Sequence, residues 1–232
     1  MDRRILVIDG LDDPVKQKIQ TLSDLSIYPQ VVLLGEPGIG KSTALKFMAN
    51  AEESSVMSVR ALMNGVSIKP DKPLFLDALD EYRSDGSTKD KTYGLARIIA
   101  ERSANRWRLT CRAEDWRNRA DANPFFEMGA AQNIVVAQLL PMDYCEACTV
   151  LRNLGEENPE SFIDHAVTLG AHAFTENPLS LKLLHKAVSD KSNWPATRFA
   201  LFTNAIKKLA REHNPFYQAD YQRKLVLKNY IH

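Results

Sequence analysis

No run of this sequence is apolar for the roughly 18 residues that a bilayer-spanning helix needs; the hydrophobic patch near the N-terminus, Ile5 to Ile8, is flanked by charge. The expectation is a chain that works without a membrane, in the cytoplasm. A paired set of cysteines is also missing. Three thiols, an odd number, fit reduced side chains better than a disulfide framework. Charge of one sign is not in excess either: 30 basic against 29 acidic residues leave a formal +1, so no global field calls for nucleic acid or an anionic surface, and partners must be argued locally. There is no internal repeat and no low-complexity segment. What is there is ordinary globular material: 232 residues, 44% hydrophobic, enough for one α/β domain and a smaller helical one.

Short apolar runs bounded by turn residues predict buried strands at Val31 to Leu34, Val56 to Val59, Leu74 to Asp77, Trp107 to Cys111 and Ile134 to Gln138. Helical patterns lie between them, most clearly at Lys41 to Ala51 and Lys89 to Ala104, so the chain to about residue 140 alternates strand and helix as a mostly parallel sheet with crossover helices requires. After Pro141 the strand signal stops. Helices are expected at Asp143 to Leu154, Ser161 to Phe174, Pro178 to Ser189 and Ala196 to His213, punctuated by Asn158-Pro159, Asn177-Pro178 and Trp194-Pro195. Three regions follow: a lead-in over 1–30, with Arg4 to Asp9 as a small strand and Pro14 to Leu25 as a helix, a core over 31–141, and a helical domain over 142–232.

Gly35-Glu36-Pro37-Gly38-Ile39-Gly40-Lys41-Ser42 has the spacing G-x-x-x-x-G-K-[ST], between a strand ending at Leu34 and a helix starting near Lys41. That context is the one the motif needs. The glycines let successive backbone N–H groups turn toward a polyphosphate, and the helix offers its positive end to the same charge. Lys41 is expected to reach the β- and γ-phosphates, Ser42 to ligate Mg²⁺ and Thr43 to assist. Downstream, Leu74 to Leu76 run into Asp77, Asp80 and Glu81. Asp77, the first acid after the buried strand, is expected to hold Mg²⁺ through water; Asp80 or Glu81, with Glu81 preferred, is expected to orient or deprotonate the attacking water. A third strand end, Trp107-Arg108-Leu109-Thr110-Cys111-Arg112, puts Arg112 where a guanidinium can respond to the γ-phosphate. The bland alternatives are a chance glycine turn, a solvated acidic loop and one more surface arginine.

These elements in this order resemble the NACHT-like branch of the STAND ATPases, in the additional-strand P-loop class that also contains AAA+ proteins. Asp77-Ala78-Leu79-Asp80-Glu81 is similar to the group's acidic signature, and Thr110-Cys111-Arg112 to its sensor strand. Ile134 to Met142 resembles the last sheet strand with its leucine-rich exit, and Asn177-Pro178-Leu179-Ser180-Leu181 the helix start whose proline, Pro178 here, packs near adenine in the family. The resemblance implies an α/β P-loop fold with a five-stranded, mostly parallel sheet in the order 5-1-4-3-2. It also implies a helical lid that closes over ADP and reorganises with ATP, and oligomerisation in the ATP state. Family members are usually larger, with an effector before the ATPase and a winged helix and sensor after it. Only about thirty residues precede the first core strand here, so the expectation is an excised module or one served by separate effector and sensor proteins.

The leading function is therefore a P-loop ATPase of slow turnover used as a signalling switch, with bacterial-type defence as one setting. Two alternatives stay open: an AAA+-like helper ATPase acting on DNA, and a scaffold that holds ADP without hydrolysis. Guanine is disfavoured because no N-K-x-D segment follows, and a small-molecule kinase because no acceptor pocket is recognisable. Cys145-x-x-Cys148 lacks a second pair and reads as helix packing rather than zinc. His165, His172, His185, His213 and His232 are scattered with no nucleophile to serve. The stretch Arg97 to Arg119, with Trp107 and Trp116 interleaved, is a candidate nucleic-acid patch, though Glu101, Glu114 and Asp115 interrupt it.

Overall fold

The computed structural model of the chain describes residues 1–10, 19–66, 72–84, 88–102, 105–189, 194 and 203. Contacts divide the chain into two units, Met1–Pro141 and Met142–His232. The helix expected over Ala196 to His213 lies outside the described residues, except for Thr203.

The first unit is α/β. Its strands are β1 (Arg4–Asp9), β2 (Ile19–Thr21), β3 (Gln30–Gly35), β4 (Val56–Ser58), β5 (Leu74–Asp77), β6 (Trp107–Arg112) and β7 (Val135–Leu139). They form one sheet in the order β2-β1-β7-β3-β6-β5-β4. Neighbours among β3 to β7 are parallel, whereas β1 runs antiparallel to both β2 and β7. Among the described residues the sheet thus has seven strands and not five, and its full order differs from the expected one because two antiparallel strands extend it beyond β7. Numbered among themselves in chain order, the five parallel strands stand as 5-1-4-3-2. The helix expected over Pro14 to Leu25 is also corrected. Ile19–Thr21 is a strand and Ser23–Ile27 a 3-10 turn, because Ile19 to Thr21 find partners on β1 that no local pattern announces; residues 11–18 are not described.

β3 is buried along its whole length, as a central parallel strand covered on both faces must be. Alternate residues part to the two faces. Val32 and Leu34 join Trp107, Leu109 and Val136 in one cluster with Val59 and Leu62 of α2 (Val59–Met63), Leu95 and Ile99 of α4 (Thr88–Glu101) and Phe125 of α5 (Arg119–Glu127). Val31 and Leu33 join Ile5, Val7 and Val135 in a second cluster with Ala44, Leu45 and Met48 of α1 (Lys41–Ala51). The five-residue helix α3 (Leu79–Arg83) follows β5.

The second unit contains α6 (Tyr144–Asn153), α7 (Pro159–Thr168), α8 (His172–Thr175) and α9 (Pro178–Ser189). Asp143 and Glu146 close a reciprocal capping box at the start of α6, the Glu146 N–H donating to Asp143 Oδ1 at 2.8 Å and the Asp143 N–H to Glu146 Oε2 at 3.0 Å. The single helix expected over Ser161 to Phe174 is two, α7 and α8. Gly170 takes φ 69°, its N–H donates to Val167 O and the Ala171 N–H to Ala166 O, both at 2.8 Å, which is the Schellman arrangement that ends a helix. Cys148 is buried in this unit's core beside Leu151 and Ile163 while Cys145 is exposed. Among the described residues no helix is long and apolar enough to cross a membrane.

Candidate functional site

β3 ends at Gly35, and the chain turns back at once. A Cβ on Gly35 would stand 2.7 Å from Ile39 Cγ2, so the loop folds tightly onto its own start. Gly38 and Gly40 take φ 78° and 100°, a region L side chains enter only at a cost, and Gly40 leads directly into α1 with its carbonyl accepting from Ala44 N–H at 2.9 Å. Ile39 is buried and pins the loop, while Glu36 and Pro37 are exposed. Lys41 bends back over it, Nζ donating to Gly35 O at 2.8 Å and to Glu36 O at 3.2 Å. Burial lowers its pKa below the usual lysine value, and Arg112 adds to this, while Asp80, Cys111 and Asp77 pull the other way. Ser42 and Thr43 are exposed in the first turn of α1.

Arg3 braces the loop from behind, and nothing local in the sequence marks it for that task. Its side chain is 5% exposed, with Nη1 donating to Ile39 O at 3.1 Å and Nη2 to Leu140 O at 2.7 Å. The loop is thereby tied to the end of β7 by a residue that immediately precedes β1.

β6 pairs with β3 on one side and β5 on the other, so Asp77 and Arg112 emerge at the carboxyl edge of the sheet, the edge from which the glycine loop springs. The Thr110 hydroxyl donates to Asp77 Oδ1 and accepts from the Ala78 N–H at 2.9 Å, fixing the turn out of β5. Ala78 itself takes φ 65°, an uncommon conformation for a residue with a Cβ. The turn delivers Asp80, Glu81 and Arg83 on α3. Asp80 accepts the Arg112 N–H at 3.2 Å on Oδ1 and faces Arg112 Nε at 2.9 Å on Oδ2. Glu81 is exposed.

Arg83 is a second residue that motif reasoning passed over. Only 4% of its side chain is exposed, and it is spent on Asp121 Oδ2 (2.9 Å), the Thr92 hydroxyl and the Asp115 carbonyl, joining α3 to α4 and α5. Asp121 also accepts from the Arg117 N–H and side chain. Burial pushes the Asp121 carboxyl up, but the bonds from Arg117 and Arg83 outweigh it and leave its pKa below the usual aspartate value. Beside this network lies an open cleft of about 620 Å³ lined by residues that include Arg60, Asp80, Glu81, Arg112, Asp115 and Arg117.

The arginine-rich stretch does not form one basic face. Trp107 and Arg108 are wholly buried and Trp116 is 5% exposed. Arg106 and Arg108 both reach Glu52 at 3.1 and 3.3 Å, burial holding the Arg108 guanidinium down at about 10. Trp107 and Arg108, neighbours on β6, are both buried because the strand is covered on its two faces. Pro178 belongs to the second unit, where it opens α9 next to Asn177, whose Oδ1 accepts from Leu179 N–H at 3.0 Å. His185 faces Glu156 at 3.1 Å, His165 and His172 lie in α7 and α8, and His213 and His232 fall outside the described residues. Among the described residues no group of three His, Cys, Asp or Glu side chains is placed to hold a metal by itself.

Compared with protein-family models and with curated proteins, the chain matches none.

Proposed function

We propose that the chain is an adenine-nucleotide switch of the NACHT-like STAND type, binding Mg-ATP and Mg-ADP and hydrolysing ATP slowly. The observation that carries this reading is convergence at the carboxyl ends of three adjacent parallel strands: the glycine loop with Lys41 after β3, Asp77 with α3 after β5, and Thr110 with Arg112 ending β6. Three strand ends supply the three things that phosphoryl chemistry needs, namely a cradle of backbone N–H groups, carboxylates and a cation.

In this reading Gly35 to Gly40 wrap the phosphates, Lys41 supplies a mobile positive charge, and Ser42 and Thr43 open the helix beneath them. The donors fit a Mg²⁺ shared with a polyphosphate. Ser42 and Asp77 offer hard oxygen, and two protein ligands suffice for an ion that keeps several waters. Bound there, the ion would neutralise phosphate charge. Glu81, exposed at the cleft, is the acid able to orient a water, and Arg112 the cation for the terminal phosphate. Pro178 toward adenine, self-association with ATP and separate effector or sensor proteins are proposed on the family resemblance alone. The DNA-helper alternative draws less support, since Trp107, Trp116 and Arg108 are buried.

The test is to identify the nucleotide that copurifies with the chain, then titrate Mg-ATP and Mg-ADP against wild type and Lys41→Ala while following mass by light scattering. Retained adenine nucleotide, affinity lowered at least about a hundredfold in Lys41→Ala as two charge-assisted bonds are lost, and an ATP-dependent mass change support the switch. No binding of either nucleotide by the wild type refutes it.

A further inference from the structure

The two acids that open α3 do not sit alike. Glu81 is exposed. The Asp80 side chain is only 7% exposed, and each of its oxygens is engaged by the same residue: Oδ1 by the Arg112 backbone N–H and Oδ2 by Arg112 Nε. This grip is one-sided. The carboxylate meets the guanidinium at Nε as an ion pair of 2.9 Å, and the four N–H donors of Nη1 and Nη2 remain. Those four have no partner among the described residues, while the side chain is 42% exposed and lines the cleft. A carboxylate that fixes Nε and leaves the Nη fork open is an orienting device, because a guanidinium is planar and holding one edge sets where the other can point.

We propose that Asp80 is a positioning residue that holds Arg112, through its backbone N–H and Nε, so that the two Nη groups form a fork for the terminal phosphate of a nucleoside triphosphate. The inference rests on the phosphate-cradle reading and deepens it. Asp80 and Arg112 both act on the Lys41 ammonium, the first raising and the second lowering its pKa, so the three charges share one neighbourhood. Arg112 bears on the γ-phosphate and therefore on the choice between triphosphate and diphosphate. Asp80 bears on it only through Arg112. The backbone N–H bond keeps Asp80 in place even where the guanidinium is changed, since that donor belongs to the chain and not to the side chain. The water-orienting role falls to Glu81, whose carboxylate is open to solvent.

The experiment is isothermal titration of the full chain with Mg-ADP and with the Mg²⁺ complex of the non-hydrolysable β,γ-imido analogue of ATP. Wild type, Asp80→Asn, Arg112→Ala and the double variant are compared, with thermal melts confirming that each is folded. Asp80→Asn keeps the shape and one oxygen for the backbone bond but drops the charge that holds Nε. The preference for the triphosphate over the diphosphate is expected to fall about fivefold in Asp80→Asn, the upper end for an ion pair with one exposed partner, and at least as far in Arg112→Ala. The double variant should fall no further than Arg112→Ala alone, because both changes remove one interaction. An unchanged preference in Asp80→Asn, or a loss that adds to that of Arg112→Ala, overturns the proposal and leaves the nucleotide-binding reading standing. Failure of the wild type to bind either nucleotide overturns both.

Discussion

Ala78 sits at φ 65°, ψ 61° between β5 and α3, a conformation that costs a residue with a Cβ about 1–2 kcal/mol. It persists because both sides are held: the Ala78 N–H by Thr110 Oγ1, and the next residue, Leu79, by complete burial. Ala78→Gly relieves the strain but loosens the unfolded chain, so the net change expected from chemical denaturation is between zero and about 1 kcal/mol of stabilisation. Ala78→Val should instead destabilise by at least about 1 kcal/mol, since a β-branched residue tolerates this region worse still. Equal effects of the two would mean that the backbone relaxes on substitution. The Arg83–Asp121 pair, 4% and 1% exposed, poses a sharper case. Arg83→Met leaves Asp121 buried without one of its cations and is expected to cost about 3–5 kcal/mol, with a good part recovered when Asp121→Leu is added. A small loss in the single variant, with no recovery in the double, would show that Arg117 alone satisfies Asp121.

At the scale of elements, the strands most legible in the sequence were the buried ones. Val31 to Leu34 reads as a short apolar run because parallel pairing and two covered faces leave few places for polar side chains, and Trp107 to Cys111 reads as a strand although Arg108 and Thr110 interrupt it. β1 and β2 were harder. Arg4–Asp9 shows as a small strand, but its antiparallel seat on β7 joins residues far apart in sequence, and β2 has only three residues with no period to detect. Helix ends divide the same way. The capping box of α6 is written into Asp143 and Glu146, three apart, and Asp143→Ala should cost about 1 kcal/mol in thermal unfolding of the second unit. The stop at Gly170 was missed because Ser161 to Phe174 keeps a helical apolar pattern across it. Gly170→Ala is expected to destabilise by about 1 kcal/mol, as a Cβ is forced into the left-handed region, and a neutral result would mean that α7 simply runs on into α8.

For the whole molecule, buried charge ties stability to pH with a definite sign. The Asp121 carboxyl has a folded pKa below its ordinary value of 3.8, so it contributes stability that is fully present above that value and is lost as pH falls through the folded one. Denaturation midpoints measured from pH 6 down to pH 2 should drop for the wild type through that acid window. They should fall less steeply for Asp121→Asn, which is already weakened at neutral pH; parallel curves would place the acid sensitivity elsewhere. The sequence by itself determined the alternation of strand and helix before residue 141, the helical character over 144–189, and the run from Gly35 to Ser42 with acids and an arginine at later strand ends, because these depend on neighbours within a few residues. Only the tertiary structure decided that β1 closes against β7, that Arg3 braces the loop through Ile39, that Arg83 is sunk between α4 and α5, and that Arg112 is held by Asp80. Each of those contacts joins residues more than thirty positions apart or turns on which neighbour buries a charge, and a hydrogen bond's partner is set by geometry in space, of which the local pattern carries no trace.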